Sequence, residues 1–145
     1  MGLILDTSIL IESERHGEGV EDLLNRVRTT QGEIDVALSA VSAIELTHGI
    51  YRAKTEADRE RRRVFVEGIF HDLIVHPLTL EIAQLAGRIE GEHAAKGISI
   101  AIEDLMIGAT ALHLGFDVST MNMRHFQAIP GLKVLKVGRG TLGSS

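Results

Sequence analysis

Short runs of consecutive apolar residues recur along the chain, each separated from the next by a stretch of helical spacing, and this alternation limits the fold more than any other feature. Leu3-Ile4-Leu5 is closed by Asp6 and followed by Thr7-Ser8, the pattern of a strand buried on both faces that feeds a helix. Val36 to Val41 forms a second run ending at Ser42, after which Ile44, Leu46 and Ile50 suit a helix closed by Gly49 or continuing to Tyr51. A charged, then apolar helical stretch from Thr55 to Phe70 leads into a third strand, Asp72 to His76, which Pro77 ends. Thr79 is an N-cap for a helix carrying Ile82, Leu85, Ala86, Ile89 and His93, with Gly97 past its end. Residues 103 to 114 form another helix stopped by Gly115, and strands follow at Phe116–Thr120 and Lys133–Val137. Strands alternating with helices imply right-handed crossovers, hence a three-layer α/β/α protein with a parallel sheet of about five strands. The expected domain spans residues 1–137, with Gly138 to Ser145 as a small-residue tail. Gly87 and Gly91 inside one helix imply a close approach there, either core packing or a subunit contact.

Composition narrows the chemistry. The 145 residues are 44% hydrophobic, enough for one core, and contain no cysteine, which removes disulfides, thiolate metal sites and cysteine nucleophiles. Acids interrupt every apolar run before it reaches the roughly 18 residues of a spanning helix, and the N-terminus lacks a basic leader, so the expectation is a cytoplasmic protein without membrane association. The net charge of −5 argues against an indiscriminate grip on nucleic acid, and 3% aromatics are too few for a base-stacking platform.

In parallel sheets ligands bind beyond the carboxyl ends of the strands. Asp6 and Asn122 follow two of the strands, while Glu45 and Asp104 lie in the opening turns of helices. Plain structural roles exist for some of them. Ser42-x-x-Glu45 matches a capping box, and Glu103-Asp104 can serve a helix dipole. Asp6 resists such an explanation, because an uncompensated charge within a buried run is costly. Gathered within about 5 Å, each pair of acids repels by roughly 3 kcal/mol at an effective dielectric near 20. A hard divalent cation reverses that balance, and carboxylate oxygens suit Mg²⁺ or Mn²⁺. Such an ion with its waters serves phosphodiester hydrolysis.

Four blocks in order carry a resemblance: Leu3 to Ile11; Ser42-Ala43-Ile44-Glu45-Leu46 with Gly49; Asp104 to Leu112; and Ser119 to Phe126 with Ile129-Pro130-Gly131-Leu132. Together they resemble the PIN domain, specifically the VapC toxins of bacterial toxin–antitoxin pairs, from about residue 3 to 137. The resemblance implies a Mg²⁺- or Mn²⁺-dependent endoribonuclease acting on structured RNA such as tRNA or rRNA. It also implies a homodimer, inhibition by a cognate VapB-like antitoxin, and a heterotetramer or larger assembly with that partner. Asp6, Glu45 and Asp104 match the family's metal-binding acids, and Asn122 falls on its fourth catalytic position. An amide there binds an ion more weakly than a carboxylate. Glu103 supplements the shell or faces solvent, the second being favoured because neighbours on a helix diverge by about 100°.

Thr7 and Ser8 either bond Asp6 or RNA phosphate, or simply cap the next helix. Arg124 and His125 are candidates for RNA phosphate or the leaving group, against an ordinary surface role. The remaining histidines show no paired ligand spacing. Arg59 to Arg63 reads as a solvated face from which Arg62 and Arg63, with Arg52, steer RNA. An apolar antitoxin helix is expected on Ile44, Tyr51, Val64 and Phe65, with a basic side chain reaching the acids. Two other readings compete. An aspartyl-phosphate module needs an acid two residues after Asp6, where Ser8 stands. A catalytically inert PIN-like scaffold is motivated by Asn122.

Overall fold

The computed structural model describes residues 1–136. Strands β1 (Gly2–Leu5), β2 (Asp35–Ser39), β3 (Ile74–His76), β4 (Asp117–Ser119) and β5 (Val134–Leu135) form one sheet in the order β3-β2-β1-β4-β5. Every neighbouring pair is parallel, as the expected α/β/α architecture requires. The chain starts at the centre, winds outward through β2 and β3, then crosses back to β4 on the other side of β1. The winding therefore reverses between β1 and β4, the place where such sheets open a crevice at their carboxyl ends.

Helices α1 (Thr7–Arg15), α2 (Val20–Gln31), α3 (Ala40–Tyr51), α4 (Glu56–Asp72), α5 (Leu80–Ala94), α6 (Ile102–Leu114) and α7 (Met123–Gln127) cover the faces. The period-2 geometry of β1 divides its side chains between two cores. Ile4 packs with Ile82, Leu105, Ile107, Val118 and Phe126 on the side of α5, α6 and α7. Leu3 and Leu5 pack with Leu10, Leu23, Val27, Leu38 and Ile69 on the side of α1, α2 and α4.

Several boundaries differ from the sequence expectation. β2 ends at Ser39, whose hydroxyl caps α3 by accepting from the Val41 N–H, so Ala40 and Val41 are helical and the capping box at Ser42 is not formed. Asp72 and Leu73 close α4 instead of opening β3. Thr79 caps α5 as expected, accepting from the Ile82 N–H at 3.2 Å. The sequence reading assigned neither α2 nor α7. The glycines at 17 and 19 and the polar residues from Asn25 to Gln31 hid the Val20, Leu23, Val27 spacing of α2. Val137, expected in the last strand, and the tail lie outside the described residues.

No close approach among the described residues explains Gly87 or Gly91, since a Cβ at either meets nothing of theirs within 4 Å. Gly108 does carry one. A Cβ there would stand 2.5 Å from Ile129 Cδ1 and 3.4 Å from Leu132 Cδ2. Gly108→Ala is therefore expected to destabilise the protein by about 1–3 kcal/mol through overpacking, read as a lower urea midpoint with an unchanged m-value. Among the described residues no helix is long and apolar enough to cross a membrane.

Candidate active site

Asp6 is the first residue beyond β1 and the N-cap of α1, yet its side chain makes no capping bond. Its Oδ2 accepts from Ser8 Oγ at 2.7 Å and from Thr120 Oγ1 at 2.8 Å. Those two hydroxyls are themselves held, Ser8 Oγ by the Met121 N–H at 3.0 Å and Thr120 Oγ1 by the Asn122 N–H at 2.9 Å. Asp6 is thus fastened across the switch point to the residues just past β4. With 6% of its surface exposed it is nearly buried, and Oδ1 takes no hydrogen bond among the described residues.

Glu45 projects from α3, where Thr7 Oγ1 donates to its Oε1 at 2.7 Å and is also hydrogen-bonded to Ser42 Oγ at 2.9 Å. Ser42, fully buried, is thereby turned toward Thr7, not toward the start of its own helix. Asp104 stands in the first turn of α6, favourable for an anion. Its Oδ2 lies 3.3 Å from His125 Nδ1.

The electrostatics bring these acids together. Burial pushes the Asp104 carboxyl up to about 6; the charge of Asp6 adds to the rise, His125 opposes it, and Glu45 and Glu103 add smaller increments. Glu45 is likewise raised, first by desolvation, then, against the Thr7 hydrogen bond, by Asp6 and Glu103. Carboxyls from the end of β1, from α3 and from α6 therefore share one electrostatic pocket at the carboxyl edge of the sheet. Glu103 is exposed but contributes its charge to both neighbours.

Asn122 is the exposed N-cap of α7, and its side chain makes no hydrogen bond among the described residues. Its contact with the site runs through its backbone, via Thr120 to Asp6. The simple capping role for Thr7 and Ser8 is not what the structure shows: their hydroxyls donate to the acids. Arg124 is exposed on α7, and His125, from the same short helix, reaches Asp104. Thr120 and Ser42 escaped the sequence reading as site residues, although each sits within three residues of a chosen position. Thr120→Val, which leaves the Asn122 N–H and Asp6 without their shared hydroxyl, is expected to cost about 1–3 kcal/mol in chemical denaturation.

The donor set is carboxylate oxygen with hydroxyl oxygen beside it, which suits Mg²⁺ or Mn²⁺ and not a soft ion. Asp6 Oδ1, Glu45 Oε2 and Asp104 Oδ1 remain outside the hydrogen bonds made among the described residues. No group of three His, Asp or Glu side chains among those residues is drawn together closely enough to hold a metal ion, so the fit rests on donor chemistry and on repulsion that a cation relieves.

A parallel sheet in the order 3-2-1-4-5 with partly desolvated acids at its switch point defines a small α/β/α protein with a carboxylate site. Residues 3–132 match the PIN domain. Ribonuclease VapC1 of Rickettsia felis is 32% identical over 139 residues, covering 94% of this chain and 97% of that protein. The tRNA(fMet)-specific endonuclease VapC of Salmonella typhimurium is 33% identical over 70% of this chain and 76% of its own. The crystal structure of DNA-bound VapBC from Salmonella typhimurium superposes with a TM-score of 0.79 at 27% identity, covering 94% and 98% of the two chains. The chain belongs to the PIN domain family, in its VapC ribonuclease branch.

Proposed function

We propose that this protein is a Mg²⁺- or Mn²⁺-dependent endoribonuclease, the toxin of a toxin–antitoxin pair, which hydrolyses phosphodiester bonds in structured RNA of the tRNA or rRNA class. One observation carries the reading: burial together with the charge of Asp6 raises the proton affinity of both Glu45 and Asp104, so carboxyls from distant parts of the chain face one partly desolvated pocket. Asp6, Glu45 and Asp104 would hold the ion, which would acidify a water and supply charge for the phosphate oxygens. Ser8 and Thr120 hold Asp6 in register, and Thr7 does the same for Glu45. His125 steadies Asp104 through Nδ1 and leaves Nε2 for the RNA, while the Asn122 amide accepts from water and Arg124 offers a cation to phosphate. The tRNA specificity in the name of the Salmonella relative supports the substrate class.

The VapBC complexes among the solved relatives support a protein antitoxin and a larger assembly, to which this chain contributes as a homodimer in the proposed reading. Ile44, Tyr51 and Val64 are 70%, 74% and 57% exposed, an apolar face suited to the partner's helix. The experiment is to incubate total RNA with the purified chain and Mg²⁺, map the fragment ends, then repeat in EDTA and with the neighbouring operon product added. Discrete ends lost in EDTA and on adding that product are expected. The amide of Asn122, exposed and without a hydrogen bond among the described residues, favours the inert scaffold as a second reading, and calorimetric titration with Mn²⁺ separates the two: absence of binding at millimolar metal selects the scaffold.

A further inference from the structure

Beside the acid pocket runs a groove of about 540 Å³ between α1, α3 and α4, and Glu45 lies on its wall. Glu45, His48 and Arg52 follow one another at helical spacing along α3, so one stripe of that helix leads from the acids into the groove. Arg52 is seven residues from Glu45, about two turns or roughly 10 Å along the axis.

The cations of this region fall into two groups. Arg59, Arg61 and Arg63 of α4 are spent on carboxylates one turn away: Arg59 on Glu56, Arg61 on Asp58, Arg63 on Glu60 and Glu67. Arg62 is structural, donating to the Gly49 carbonyl at 2.7 Å and so joining α4 to the end of α3 to shape the groove. Arg15, Arg52 and Lys54 differ. All three line the groove, all are exposed, and none forms an ion pair among the described residues. Glu14 and Asp58 also line the groove but are paired with Arg61 and Arg62, so in a chain of net charge −5 the three uncommitted cations leave a local positive excess that a polyanion matches.

We propose that this groove is the track along which one flank of the RNA leaves the cleavage site, its phosphates taken by Arg52, Lys54 and Arg15. The proposal rests on the nuclease reading and adds the direction in which the strand runs, along α3 away from Glu45. The steering role expected for Arg62 and Arg63 passes to residues whose charge is not already used, Arg52 among those foreseen and Arg15 and Lys54 besides. Phe65 and Leu46 give the groove an apolar floor against which a sugar or base can rest.

The test measures binding of a fluorescently labelled RNA stem-loop with a single-stranded tail, in EDTA, across a salt series, for the wild type, the double variant Arg52→Ala/Lys54→Ala, and Lys96→Ala. Lys96 is exposed and lies outside the groove. Two lost phosphate contacts on a single strand lower the slope of log K against log salt by about 1.4, equivalent to about 25-fold weaker binding at 0.1 M salt. The double variant is expected to show that loss with unchanged Mn²⁺ affinity and melting temperature, and Lys96→Ala to remain near the wild type. An undiminished slope in the double variant overturns the track, as it would for a groove that takes only a protein partner. An equal loss in Lys96→Ala also overturns it, because net charge alone would then be acting. Wild-type protein that neither binds nor cuts RNA with Mn²⁺ present instead removes the nuclease reading on which the track depends.

Discussion

Asp6→Ala is expected to slow RNA cleavage by roughly 10³-fold or more, since loss of a ligand to the proposed hard ion removes several kcal/mol of charge stabilisation at the phosphate. Asp104→Asn is expected to fall comparably. Neither change should unfold the protein. Asp6 contributes charge more than packing, and Ser8 Oγ and Thr120 Oγ1, already 3.3 Å apart, can bond each other when the carboxylate is gone. Removing one member of a mutually repelling set also relieves strain in the metal-free state. Cleavage assays, thermal melts and Mn²⁺ calorimetry on both variants distinguish these effects. Cleavage at the wild-type rate by a folded Asp6→Ala variant removes the proposed mechanism.

The second large effect concerns pH and metal. The Asp104 carboxyl is held at about 6 in the folded protein against an ordinary 3.8, so folding disfavours its ionised form. Below pH 4 the group is protonated in both states and has no effect. As pH rises from 4 to 6 the unfolded chain releases a proton that the folded chain retains, and stability falls across that window. A shift of this size corresponds to about 2 kcal/mol once partial solvent screening is allowed for, hence a melting temperature lower by roughly 6 °C at pH 7 than Asp104 alone would permit at pH 4. Asp104→Asn, whose side chain cannot ionise, is expected to melt higher than the wild type at pH 7 in EDTA and to lose this part of the pH dependence. Saturating Mg²⁺ or Mn²⁺ should raise the wild-type melting temperature and leave Asp104→Asn nearly unmoved. A wild-type melting curve insensitive to Mn²⁺ at pH 7 would contradict both the ligand assignment and the scale of the repulsion.

Much of the architecture was legible because the signals were local. Leu3-Ile4-Leu5, closed by Asp6, carries the pattern of a doubly buried strand, and Thr79 and Gly97 bracket α5 through capping and positive-φ chemistry that nearby residues dictate. Helix α2 was not legible, since its apolar stripe is short and its remaining residues are polar; packing of Val20, Leu23 and Val27 beneath it decides the matter. The start of α3 was misplaced for a related reason. Ser39 and Ser42 are equally good caps in sequence, and which one caps depends on where β2 leaves the sheet.

The acids divide in the same way. An isolated charge within an apolar run marks Asp6 as exceptional from the sequence alone, because the cost of burying a lone carboxylate does not depend on the fold. That Glu45 and Asp104 join it, that Thr7, Ser8 and Thr120 spend their hydroxyls positioning the acids, and that His125 faces Asp104 were decided only when the crossover from β3 to β4 placed α3 and α6 on either side of one switch point. Local propensity reaches a few residues in each direction, whereas these contacts join positions up to 114 residues apart, and such pairs are chosen by the winding of the sheet.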